Sequence, residues 1–137
     1  MSINTRHTWL ISIVAGAGYG LIGIAFALPT SYARVWRLAA WVVSGIVYGG
    51  HIVYEQYVVR SRPLVAAVHI AVGVAIGGFL LAVGANVHAA MVPTHAPLWR
   101  YRVALVAWPI ITAVPALLLA LVTSYVLSRV RTNRLVA

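Results

Sequence analysis

One acidic side chain, no cysteine and no lysine stand among the 137 residues of this chain. Each absence excludes something. A single carboxylate, Glu55, rules out paired-carboxylate acid–base chemistry. Without cysteine there are no disulfides, no thiolate nucleophile and no Cys-ligated zinc, and the redox compartment is not written in the thiols. The few serines are not accompanied by a convincing His and carboxylate pair. Catalysis is therefore the poorest fit, and a membrane enzyme would have to use His51 and Glu55 as its acid–base pair. All ten basic residues are arginine, which we read as a mark of genome composition rather than of function.

What is present is apolar. The chain is 63% hydrophobic and 8% charged, with a mean hydropathy of +0.96, more than a soluble fold of this length can hide from water. Its length fits one domain, residues 1–137. The net charge of +9 does not point to nucleic acid, because the arginines form no single patch. Arg6 stands apart; Arg34 and Arg37, Arg60 and Arg62, Arg100 and Arg102, and Arg129, Arg131 and Arg134 punctuate apolar runs. That is the pattern of membrane-edge anchors meeting anionic head groups.

A spanning helix needs about 20 predominantly apolar residues, and the arginine clusters delimit four such segments. They are residues 8–28 (closed by Pro29), 38–59, 64–85 and 103–127. The apolar core of the first is too long for a cleaved signal peptide. Short linkers between neighbours predict an all-α membrane protein, four transmembrane helices in an up-down-up-down bundle. The longest linker, residues 88–102, holds two prolines and is expected along the membrane interface. Trp9, Tyr32, Trp36, Trp41, Tyr57, Trp99 and Tyr101 cluster near span ends as interfacial belts. Six arginines on the side of the termini against four on the other favour both termini in the cytoplasm, with the chain in the cell (inner) membrane. The small bias also leaves room for insertion in both orientations.

Gly18-Tyr19-Gly20-Leu21-Ile22-Gly23 matches a dinucleotide-binding pattern, but no strand precedes it and no acidic ribose ligand follows. Gly16, Gly20 and Gly23 instead share one helix face, and Gly73 and Gly77 make another in the third span; both read as packing faces. Pro109 and Pro115 are expected to bend the fourth helix.

Glu55 lies in HIVYEQYVVRSRP, residues 51–63, five residues before Arg60 and hence about 7.5 Å inside the end of its span. His51 is one turn deeper on the same face, Tyr48 deeper still, and Arg62 lies near the mouth. Folding the chain about residues 61 and 62 brings Glu55 beside His69. Tyr48, His51, Glu55, Arg62 and His69 thus form the one concentrated ionisable cluster, and such a cluster within a membrane is a functional hypothesis. As a structural pair, Glu55 with His69 or Arg62 would set the register of spans two and three. As a proton-linked site, Glu55 and His51 would exchange protons with a substrate; the structural pair is preferred. A metal site is weak, since H-x-x-x-E is not the zinc-protease spacing. Haem b or a related tetrapyrrole between His51 and His69 has the right ligand type, with the two offset by about 4.5 Å in depth. At the other end, Asn86 and His88 close span three and His95 follows in the loop. There Arg34, Arg37, Arg100 and Arg102 read as a head-group face.

Four short spans with one membrane glutamate resemble, in outline, the small multidrug resistance exporters, which work as antiparallel dimers around one carboxylate. The resemblance is one of architecture: their glutamate lies in the first helix, where this chain has Gly and Tyr. A small proton-coupled transporter or channel using Glu55 and His51 is the alternative reading of the cluster. The reading with the fewest special assumptions is an accessory or structural subunit, partnered by the lipid bilayer and by another membrane protein or its own copies.

Overall fold

The computed structural model of the chain describes residues 5–28, 31–92 and 97–136. Pro29, Pro93 and His95 lie outside them, whereas Pro97, the linker's second proline, is described just ahead of Leu98. Within the described residues the chain is helical and holds no strand. In chain order the helices are α1 (Thr5–Ala27), α2 (Ala33–Val53), α3 (Pro63–Met91) and α4 (Leu98–Val136), with a π-helical segment, Tyr54–Val59, continuing α2. Three of them, α1, α3 and α4, are long and apolar enough to cross a membrane. The remaining helix, α2, is not shown to do so; Arg34, Arg37, Tyr48 and His51 dilute its apolar content.

The helices outrun the apolar segments that predicted them. Residues 88–91 and 98–102, expected in a linker, belong to α3 and α4 instead. A run of Ala, Met, Leu and Arg carries good helix formers, and an arginine at a helix end extends its charge outward without breaking backbone hydrogen bonds. Pro63 begins α3, where its missing N–H costs nothing. Both Pro109 and Pro115 lie inside α4, which continues through them.

Packing is centred on α3, flanked by α1 and α4. Trp9 meets His69, Tyr19 meets Gly77 and Ile24 meets Gly84, so α1 and α3 run in the same direction. Conversely, Asn86 donates to the carbonyl of Tyr101 (2.6 Å) while Gly78 faces Thr112, so α4 runs against α3. Glycine makes these approaches possible. A Cβ on Gly16 would lie 2.7 Å from Ile76, one on Gly20 the same distance from Leu80, and one on Gly23 would overlap Leu81. A Cβ on Gly78 would lie 2.6 Å from Thr112 Oγ1, so the proline-bearing stretch of α4 seats against bare backbone.

The other end of α2 behaves differently. Ile52 closes a small apolar core with Ala67, Ile70 and Ala120, which places the last turns of α2 between α3 and α4. Farther back, Phe26 and Trp36 tie α2 to α1 at a ring separation of 5.8 Å. Leu38, Trp41, Val42 and Ile46 are exposed, and Gly45, Gly49 and Gly50 have nothing within 4 Å of a would-be Cβ.

Candidate functional site

The π-helical segment creates the site. At its end Arg60 adopts a left-handed conformation (φ 59°), which turns the chain sharply toward Pro63. The backbone N–H groups of Arg60 and Ser61 both donate to the Glu55 carbonyl, the latter at 3.0 Å. The same turn folds Ser61 back onto the Glu55 side chain. Ser61 Oγ donates to Oε2 at 2.6 Å, and His69 Nδ1 stands 3.0 Å from Oε1. Glu55 is fully buried and His69 nearly so. Trp9 of α1 meets the His69 ring edge-on, 4.7 Å between centroids. One carboxylate thus joins the turn, α3 and, through the imidazole, α1. Such π segments are rare and recur at functional positions.

Of the residues expected in the cluster, Glu55 and His69 are in contact, and His51 lies within electrostatic reach of both. The Tyr48 hydroxyl turns aside to α4, donating to the carbonyl of Ala116 at 2.6 Å. Arg62 is exposed, held in an extended conformation ahead of Pro63. Its expected place beside Glu55 is taken by Ser61. Gly16, Gly20, Gly23, Gly73 and Gly77 line the contact between α1 and α3.

Several participants were not anticipated. Gln56 is buried beside Glu55, its side-chain amide unpaired among the described residues while its carbonyl accepts from Arg131 of α4 at 2.5 Å. Neither ring nitrogen of the buried His51 has a partner there, nor do the Tyr19 hydroxyl and the Ser124 hydroxyl. Ser61 had one signal in the sequence, as the serine nearest the only carboxylate. Tyr19, Gln56 and Ser124 had none, because their burial depends on which helices meet.

Among the described residues no group of three His, Cys, Asp or Glu side chains is placed to hold a metal ion. His69 is occupied by Glu55 and Trp9, and the His51 ring lies 3.7 Å from where a Cβ on Gly73 would stand. A tetrapyrrole between the two histidines would have to displace these contacts.

Arg34, Arg37, Arg100 and Arg102 are all exposed at the other end. A cleft of about 150 Å³ there is lined by Phe26 and Arg37, and one of about 330 Å³ by Asn86, Tyr101 and Arg102. Neither includes a residue of the Glu55 cluster.

No family model, curated protein or solved structure matches this chain.

Proposed function

We propose that the protein is a small polytopic membrane subunit that works by packing against other membrane helices, its own copies or a partner's. In this reading all four helices cross the cell membrane as an up-down-up-down bundle, both termini are cytoplasmic, and the arginine pairs sit among the head groups at either edge. The Glu55–His69 pair is a latch that fixes α3 to the end of α2.

What carries the reading is the contrast between two sets of glycines. Gly16, Gly20 and Gly23 of α1 and Gly73 and Gly77 of α3 are closed against the facing helix, whereas Gly45 and Gly49 of α2 have nothing within 4 Å. Their four-residue spacing lets a second helix approach closely, and van der Waals packing of that kind is a main source of helix association in lipid. Both oxygens of Glu55 are engaged from within the chain, by Ser61 and His69, which suits a latch better than an open substrate site.

The test is disulfide cross-linking in the native membrane. A Val42→Cys variant, one turn from Gly45 and otherwise free of cysteine, is expected to form an intermolecular disulfide or a cross-link to one defined partner. Adding Gly45→Ile and Gly49→Ile should abolish it. A protein that stays monomeric, or cross-links equally well with both isoleucines in place, would remove the reading.

A further inference from the structure

His51 is the least explained side chain in the protein. It is 6% exposed, yet neither ring nitrogen has a partner among the described residues. A neutral imidazole carries one donor and one acceptor, and burying either unsatisfied is unfavourable. A packing role alone would be met better by leucine or phenylalanine. Its surroundings add a second observation: one turn away on the same face is Glu55, whose carboxylate is bonded to a second histidine.

We propose that Glu55, His69 and His51 form one buried proton-binding site, in which a single exchangeable proton passes between the two imidazoles by way of the carboxylate. In the first arrangement His69 is an imidazolium that carries the proton on Nδ1, and Glu55 is ionised. Transfer breaks that N–H bond and forms an O–H bond on Oε1. The carboxyl then gives its proton to an internal water, which gives one of its own to the free lone pair of His51. Glu55 ends as a carboxylate, His69 neutral and His51 an imidazolium; water is regenerated and no electron moves.

Glu55 of the π segment and His69 of α3 bear on His51 electrostatically; the other titratable groups of the packed helices are Tyr19 of α1 and Tyr48 of α2. Arg131 of α4 is bonded to the Gln56 carbonyl directly behind Glu55. Glu55 is the sole negative charge among them. The two tyrosines lie within electrostatic reach of each other, and the Tyr19 hydroxyl is a further unpaired group able to hold water. Ser61 is half-buried between exposed Arg60 and Arg62, so the proton exchanges with solvent at that end of the helices. The inference stands apart from self-assembly and is tested without reference to it.

The experiment is a pH titration of the ¹⁵N-histidine-labelled protein in detergent micelles, followed by NMR. His51→Phe and His69→Gln assign the two signals among the five histidines. In the unaltered protein both imidazoles are expected to change over one shared pH interval. In His51→Phe the His69 midpoint should move by about one pH unit or more, as for strongly interacting sites. Glu55→Gln should uncouple the two. A His51 signal that keeps one tautomer while His69 titrates alone, or a His69 midpoint unmoved by His51→Phe, overturns the proposal. Should a variant fail to fold, joint or separate titration in the unaltered protein decides.

Discussion

Gly16 and Gly73 bring α1 and α3 together backbone to backbone: a methyl group on Gly16 would lie 2.7 Å from the Gly73 carbonyl oxygen. Neither backbone can move aside as a side-chain tip can. Gly16→Ala should therefore cost about 1–3 kcal/mol, the usual penalty of overpacking. Gly18, in the same helix, has nothing within 4 Å, so Gly18→Ala should stabilise by about 0.5–1 kcal/mol through helix propensity alone. Opposite signs for two neighbouring substitutions, read from reversible unfolding in mixed micelles, would be hard to produce without this contact.

Glu55→Ala leaves His69 beside an empty acceptor site in a buried position, and should destabilise by about 3–5 kcal/mol if the pair is ionic. Glu55→Gln retains an acceptor of the same shape and should lose less. Ser61→Ala removes one hydrogen bond to a charged group, about 1.5–3 kcal/mol. That order, Ala at 55 worst and Gln at 55 milder, is checked by the same unfolding measurement. Equal losses for both substitutions at Glu55 would mean that a neutral acceptor does nothing for His69.

The Glu55–His69 contact was legible in the sequence because hairpin arithmetic about residues 61 and 62 needs only helical rise. Its completion by Ser61 was not. That bond depends on a π turn and a left-handed Arg60, and a non-glycine residue in that conformation has no marker in a single sequence. Gly16 and Gly73 could each be recognised as packing residues, but not as partners of each other, since an entire helix separates them along the chain. The ends of α3 and α4 were missed for a simpler reason: hydropathy marks where lipid begins, and helices do not stop there.

Tyr48→Phe should cost about 0.5–1.5 kcal/mol, for the loss of its hydroxyl's bond to the Ala116 carbonyl. The value should fall at the lower end, because that carbonyl keeps its helical partner. Thermal unfolding beside the unaltered protein is sufficient. A loss of several kcal/mol would mean that the hydroxyl also serves the Tyr19 side.

The cysteine-free chain makes topology easy to measure. Single cysteines at Ser31 and Arg62 flank α2 with its π segment, and a membrane-impermeant thiol reagent should label them from opposite faces of a sealed vesicle. Labelling from one face would show that α2 does not cross, and would leave α1, α3 and α4 as the crossing helices.

At 39 residues α4 is about 58 Å long, nearly twice the hydrocarbon thickness of about 30 Å. Arg131, near the far end of that helix, donates to the Gln56 backbone carbonyl, so the C-terminal turns of α4 are tied to the segment that holds the carboxylate.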